Sequence, residues 1–267
     1  MRLRIDHTTV YNYETASSYA LQQVRKRPHD TDAQTVISWD LVLEGAKSEA
    51  RYMDHHGNHV ELVSMEPGAK RVSISCQGEV ETRDTAGILT SSRMVPPLWL
   101  YRRFTPLTKV GKGVRGLVAE LGKDPELNLE TLHALMNLIA DSVVYDIEPT
   151  GPNTSAEEAL ELGHGVCQDH AHIFAAAARL MGFPARYVGG YMMMLDRVDQ
   201  EAGHAWAEAW VEGLGWVGFD AANRVCPDER YIQVATGLDY REAGPLTGVM
   251  YGGEQEVLSV NVQVQQQ

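Results

Sequence analysis

The sequence predicts an α+β protein, with an antiparallel β-sandwich over residues 1–85 and a helical connector leading into a helix-on-sheet core over residues 86–267. Three observations predict it. The first eighty or so residues alternate apolar and polar side chains, as half-buried strands do. Between Val114 and Met181 the apolar residues recur at helical spacing. From Ala185 onward the strand pattern returns.

The strands come first. Alternation is clearest in 2–11 (Arg-Leu-Arg-Ile-Asp-His-Thr-Thr-Val-Tyr), in 36–43 and in 71–76. Asp54-His55-His56-Gly57-Asn58-His59 supplies turn chemistry, because Gly and Asn tolerate positive φ. Three histidines there invite a metal reading, but a hairpin turn favours solvated side chains. The pattern changes near Met94, where Pro96-Pro97 and then Pro106 mark irregular chain.

The helices follow. Residues 114–121 and 129–143 carry the 3.6 period, and in the second Leu132, Leu135, Met136 and Ile139 share one face. Residues 149–153 form a break. In Thr154-Ser155-Ala156-Glu157-Glu158 either hydroxyl has a Glu three residues on, a capping box for a short helix ending at Gly163. Residues 168–181 form a strong helix with Ile173, Phe174, Ala177, Leu180 and Met181 on one stripe. Gly182 suits its C-terminus, and Pro184 prevents continuation. Beyond it, 205–211 is the clearest strand, and the Gln-rich end, 262–267, reads as a frayed tail.

Composition narrows the functional classes. With 267 residues, 44% hydrophobic and 22% charged, this is an ordinary globular chain with ample core. Its 23 basic and 36 acidic residues give a net charge of −13, which leaves no electrostatic footprint for nucleic acid or an anionic membrane. No apolar run reaches the ~18 residues of a membrane span, and the first residues lack a signal-peptide core. Cys76, Cys167 and Cys226 form no CxxC pair, which argues against a disulfide framework or a four-cysteine zinc site and fits a reducing, cytoplasmic location.

Of the three thiols, Cys167 has the distinctive setting, Gly163-His-Gly-Val-Cys-Gln-Asp-His-Ala-His172. It opens the strong helix, where unpaired backbone N–H groups and the helix dipole favour an anion. Gly163 and Gly165 would let a substrate backbone approach closely. A thiolate nucleophile needs a base and an orienter. His204 opens a strand with Trp206, Glu208 and Trp210 on the same face, and a Gly-containing turn at 212–215 returns the chain toward Asp220. With residue 211 opposite 215, Asp220 becomes a diagonal neighbour of His204. A metal site is the competing reading of His164, Cys167, Asp169, His170 and His172, but the i, i+4 pairing of two helical ligands is missing. Gln168 and Trp206 are candidate cleft residues, with a helix-capping role and a core position as their respective alternatives; Tyr145 and Tyr191 read as packing.

The segments Gly-Val-Cys-Gln-Asp-His-Ala-His, Gly-Phe-Pro-Ala-Arg-Tyr-Val-Gly-Gly-Tyr, Gly-His-Ala-Trp-Ala-Glu-Ala-Trp and Gly-Trp-Val-Gly-Phe-Asp resemble the bacterial transglutaminase-like family. The resemblance covers nearly the whole chain, with residues 1–80 similar to the β-rich region that precedes the family's core. It implies a papain-like core in which Cys167 is the nucleophile, His204 the general base and later acid, and Asp220 the orienter of the imidazole. It implies a peptide or protein substrate and amide acyl transfer through a thioester on Cys167. Hydrolysis of a peptide or isopeptide bond is the first expectation, protein-glutamine crosslinking the second, and a catalytically silent peptide-binding scaffold the third. The oxyanion would be held by the Cys167 backbone N–H and a second donor. No metal or organic cofactor is implied. Two departures stand out. Asp220-Ala221-Ala222-Asn223 replaces Asp-Pro-Thr-Asn, implying a looser turn, and Gly237-Leu238-Asp239-Tyr240 replaces Gly-Arg-Asp-Tyr, removing an arginine.

Overall fold

The structure is a computed structural model; it describes residues 1–14, 19–90, 96–123, 125–148, 150–251 and 256–267, so Met94 and Pro149 of the expected breaks lie outside the described residues. In chain order, the first region holds β1 (Arg2–Tyr13), β2 (Tyr19–Arg27), β3 (Gln34–Glu44), β4 (Ala46–Met53), β5 (His59–Met65) and β6 (Arg71–Thr82). The middle holds β7 (Ile88–Leu89), α1 (Lys112–Glu120), α2 (Leu129–Ser142), β8 (Val144–Tyr145), α3 (Ala156–Leu162), β9 (His164–Gly165) and α4 (Cys167–Met181). The remainder holds β10 (Ala185–Met192), β11 (Asp199–Gln200), β12 (His204–Val211), β13 (Gly215–Phe219), β14 (Tyr231–Gly237), α5 (Tyr240–Ala243), β15 (Leu246–Tyr251) and β16 (Glu256–Gln266).

The expected α+β organisation is what forms. Two antiparallel sheets, ordered β11-β16-β1-β6-β3 and β15-β2-β5-β4, make the sandwich, and a third, β14-β10-β12-β13-β7, makes the core sheet against which α4 packs. Alternation along β1 explains how the layers join. Its odd-numbered residues from Leu3 to Tyr13 all face inward. Leu3 and Ile5 meet Tyr191 and Ile232 of the core sheet, while Tyr11 and Tyr13 meet Val24 and Val63 of the second sandwich sheet. His7 and Thr9, between these two apolar groups, share the buried ammonium of Lys26: Nζ donates to Thr9 Oγ1 at 2.6 Å and approaches His7 Nε2 at 3.1 Å. Burial pulls the Lys26 pKa down to about 8, the thiol of Cys76 opposing it.

The Gln-rich end departs from expectation. Residues 256–266 form a full strand beside β1, with Val262 and Val264 buried, and β15 pairs with β2, so the segment after α5 returns to the sheets of residues 1–82. The frayed-tail reading fails because Val260, Val262 and Val264 alternate with Asn261, Gln263 and Gln265, a half-buried strand pattern that the glutamines mask. The sandwich also covers the free edge of β14. The Gln34 amide exchanges two 2.8 Å hydrogen bonds with the backbone of Gln233, and the Asn58 amide does the same with Thr236. Two side chains thus complete the ladder, in place of a strand, on an edge that would otherwise carry unpaired backbone groups.

The helices match their sequence signals closely. Ser155 and Glu158 form the capping box of α3, and Gly163 ends it at φ 67°. Glu157, the other acid considered there, instead accepts hydrogen bonds from the N–H groups of Gly111, Gly113 and Val114 and so caps α1. α4 is buried nearly all round, with Ile173, Phe174 and the four alanines 175–178 inaccessible to solvent. Burying a side chain the size of Phe174 contributes roughly 1.5–3 kcal/mol, and the alanines let the sheet and α1–α3 approach closely. Among the described residues no helix is long and apolar enough to cross a membrane.

Candidate active site

Cys167 is the first residue of α4, half-buried, with Val166 as the extended N-cap residue. The turn that aims it is built by Asp169, whose carboxylate folds back to accept from the Val166 N–H at 2.8 Å and from the Thr150 hydroxyl at 2.7 Å. This explains Gly165 differently from the sequence reading. A Cβ there would lie 2.8 Å from the Asp169 side chain, and Gly165 is itself buried. Gly163 is the left-handed end of α3. Both glycines serve the chain's own turn.

The core sheet supplies the partner. β12 and β13 pair with Val211 opposite Gly215 and Ala207 opposite Phe219, the register expected from the sequence. Continuing it places Asp220 on the face of His204 and Trp206. His204 Nε2 donates to Asp220 Oδ2 at 2.6 Å. The same oxygen accepts from the Tyr231 hydroxyl at 2.8 Å and the Asn223 amide at 2.7 Å. With Nε2 engaged, Nδ1 is the nitrogen available to Cys167, which is among the causes that raise the imidazole pKa.

Electrostatics follow from these contacts. Burial opposes charge on His204, but the Cys167 charge and the Asp220 hydrogen bond outweigh it and hold the imidazole pKa up to about 10. Burial likewise opposes ionisation of Asp220, yet the hydrogen bonds from His204, Asn223 and Tyr231 together with the His204 charge bring its pKa below the usual value. These contacts favour an imidazolium at His204, backed by an ionised carboxylate at Asp220.

Tyr231 reaches Asp220 because β10 and β14 are pressed together at Gly190. A Cβ on Gly190 would sit 2.0 Å from the Ile232 carbonyl oxygen, at a shift in strand register between Gly189 and Gly190. No spacing rule along the sequence links Tyr231 to Asp220, and the Tyr is missed there. Asn223 was legible as part of the Asp-Ala-Ala-Asn turn. That turn is held by the Asn223 side chain and by its N–H on Asp220 Oδ1, so the two alanines do not leave it loose. Leu238, at the other departure, packs with Tyr101 and Trp216. Its carbonyl accepts from Arg179, so a guanidinium from α4 still reaches this segment.

The remaining expectations sort by burial. Trp206 is 3% exposed and stacks behind His204 with Tyr231, shaping the imidazole pocket from within. The Gln168 amide points toward the Gly151 carbonyl. Tyr191 is packing, as expected, and hydrogen-bonds His7 at 2.8 Å. Tyr145 is not. It is 54% exposed on β8, which runs parallel to β9 beside the Cys167 turn. Burial raises its pKa most, then the Cys167 and Asp220 charges, to about 12, so the phenol stays a neutral O–H.

The histidines near Cys167 each have separate employment. His172 accepts the Tyr240 N–H at Nε2, His170 lies between the carbonyls of Val166 and Val143, and His164 pairs with Asp146. In the 54–59 turn the expectation of solvated histidines fails for His56, which is 7% exposed. Asp54 accepts its backbone N–H and that of Asn58, folding the turn down onto the core.

Comparison with known proteins agrees with this architecture. Residues 115–221 match the family model of the transglutaminase-like superfamily, and residues 3–81 that of the bacterial transglutaminase-like N-terminal region. An uncharacterized protein of Mycobacterium leprae is 29% identical over 276 residues, covering 98% of both chains. A shorter match, 28% identical over 125 residues, covers 41% of this chain and 18% of a protein-glutamine gamma-glutamyltransferase of Pseudomonas aeruginosa. The crystal structure of a candidate cysteine protease from Cytophaga hutchinsonii has the same fold, with a TM-score of 0.75 over 99% of this chain and 98% of that one at 21% identity.

Proposed function

The chain belongs to the transglutaminase-like superfamily, and from that premise we propose that it is a cysteine-dependent enzyme that hydrolyses a peptide or isopeptide bond through a thioester on Cys167. The observation that carries the reading is the buried 2.6 Å bond from His204 to Asp220, with the imidazole pKa raised to about 10 by Cys167 and Asp220.

The steps balance as follows. The Cys167 sulfur attacks the substrate carbonyl carbon, and the carbonyl oxygen takes the negative charge. The Cys167 backbone N–H, unpaired in the first turn of α4, donates to that oxygen, with the Tyr145 hydroxyl as the second donor on the open side. His204 passes its Nδ1 proton to the departing amine as the C–N bond breaks, leaving the acyl group on sulfur. The now neutral imidazole takes a proton from water as it attacks the thioester. Collapse expels the sulfur and returns the ion pair. Asp220 keeps its proton-free state throughout and fixes the ring by its bond to Nε2.

One feature supports water as the acceptor. The wall beside Cys167 is open, with Val144, Tyr145 and Ile147 all more than half exposed. The three thiols are unpaired, which fits catalysis in a reducing, cytoplasmic compartment. Transfer to an amine is the second reading, favoured by the name of the Pseudomonas relative. It shares every step up to the thioester.

A fluorogenic peptide and isopeptide panel, run with and without a primary amine, separates these. Amine-independent release that vanishes in Cys167→Ala supports hydrolysis. Product mass increased by the amine supports transfer. An unlabelled Cys167 after exposure to iodoacetamide and to the substrate panel would remove the catalytic reading altogether.

A further inference from the structure

His55, His56 and Glu242 bring one potential ligand atom each to within 4.8 Å of one another, on the face of the molecule where the β4–β5 turn meets α5. They come from two distant parts of the chain, the adjacent His55 and His56 from the turn and Glu242 from α5. Asp54 fixes the turn by accepting the N–H groups of His56 and Asn58. The His55 and His56 rings lie against each other, their centroids 4.0 Å apart. Glu242 is anchored by the Leu238 N–H, 2.8 Å from Oε2, and that oxygen also accepts from His56 Nε2 at 2.7 Å.

Two imidazoles and a carboxylate form a borderline donor set. Calcium and magnesium prefer oxygen ligands throughout, and thiolate-seeking ions would need sulfur. Three protein ligands with a fourth position open to water is a familiar zinc arrangement. The support behind the ligands has the right form as well. His56 has its Nδ1 3.2 Å from the Tyr101 hydroxyl. With a metal on Nε2, the proton resides on Nδ1 and the Tyr101 oxygen accepts it, the outer-shell bond that orients ligating histidines. Metal–nitrogen bonds of ~2.0–2.1 Å set neighbouring tetrahedral donors about 3.3 Å apart, so the 2.7 Å His56–Glu242 pair must open slightly and any wider separation from His55 must close. His55 is exposed and Glu242 is one-third exposed, so both can make that adjustment while buried His56 stays fixed.

We propose that His55, His56 and Glu242 bind one divalent ion of the zinc class, which ties the sandwich turn to α5. The ion would join the two parts of the chain next to Asn58, whose amide already pairs with β14. The site is separate from Cys167 and does not depend on the reaction assigned there.

The test uses the full chain carrying Cys167→Ala, so that the Cys167 thiol cannot compete for the ion. After treatment with a chelator, the protein is titrated with Zn2+ against a chromophoric indicator and with Co2+ by visible absorption. The expected result is one ion per chain, with a Co2+ spectrum of imidazole and carboxylate ligation and a raised melting temperature. Exposed His55→Ala and Glu242→Gln should each weaken binding by more than the ~10–100-fold cost of losing an outer-shell partner, and Tyr101→Phe by about that amount. Circular dichroism on the same samples shows that the variants are folded. Absence of a stoichiometric ion, or affinity unchanged in folded His55→Ala and Glu242→Gln, would overturn the proposal and leave a His56–Glu242 ion pair alone.

Discussion

His204 and Asp220 meet through Nε2 and Oδ2 at 2.6 Å, and that one oxygen also holds Tyr231 and Asn223. Three donors on a buried oxygen make Asp220 an ionised support for the ring. Asp220→Asn should therefore lower kcat with little change in KM, by less than the ~10⁴-fold seen when a serine triad loses its Asp, because here the imidazole proton is already in place. Tyr231→Phe removes one donor from a depressed carboxylate. A hydrogen bond to a charged group contributes about 1.5–3 kcal/mol, so the Asp220 pKa should rise when it is lost. Activity depends on the ionised form and disappears as pH falls through that value, so the acid limb of the pH–rate profile should move upward. An unmoved limb would show that Tyr231 only packs.

The protonation of His204 is open to nuclear magnetic resonance. The His204 ring should remain protonated toward its pKa of about 10 in the native protein. In Cys167→Ala the charge that raises it is gone while burial still opposes it. The pKa should fall, and a value unchanged in that variant would mean that Asp220 alone supports the imidazolium.

Tyr145 stays a neutral phenol to about pH 12. Tyr145→Phe should reduce the acylation rate about tenfold or more, short of the ~10²–10³-fold of an enclosed oxyanion-hole donor, because this side chain is 54% exposed. Burst kinetics isolate the step. A change confined to KM would place Tyr145 in substrate packing instead.

Acid sensitivity has a separate source in His172, fully buried and with its pKa lowered from 6.5 to about 3 by burial and by the Arg179 charge. The unfolded chain takes up this proton below pH 6.5 and the folded protein does not. Stability is therefore lost as pH falls from about 6.5 to about 3, on the order of 5 kcal/mol in all. His172→Gln can still accept the Tyr240 N–H. Urea midpoints should then decline less between about pH 7 and pH 4 than in the parent protein. Equal declines would assign the acid limb to other groups.

Much of this was legible along the chain, and the reason is locality. The ends of α3 and α4 are set by residues within one turn, and the Val211–Gly215 hairpin fixes where Asp220 falls relative to His204. What stayed hidden depends on partners far away. Gly190 has no apparent reason to be glycine until the Ile232 carbonyl is seen against it, and Gly165 has a structural one only once Asp169 is seen folded over it. His56 reads as a solvated turn residue until Tyr101 and Glu242 close over it. Tyr145 lies in a short apolar stretch like any packing residue, and only the parallel pairing of β8 with β9 brings it to the cleft.

The pairing of β1 with β16 sets the order of events during synthesis. At ~5–20 residues per second, roughly 10–50 s pass between the ribosome's release of Tyr13 and of Glu256. Once β6 has followed, β1 has β6 on one side and an unpaired backbone edge on the other for the rest of that interval. Such an edge recruits foreign strands, and closures this distant in sequence are slow. The nascent chain thus depends on shielding at β1 until its last strand arrives, and Gln34 and Asn58 can take up their places on β14 only after the core sheet has been made.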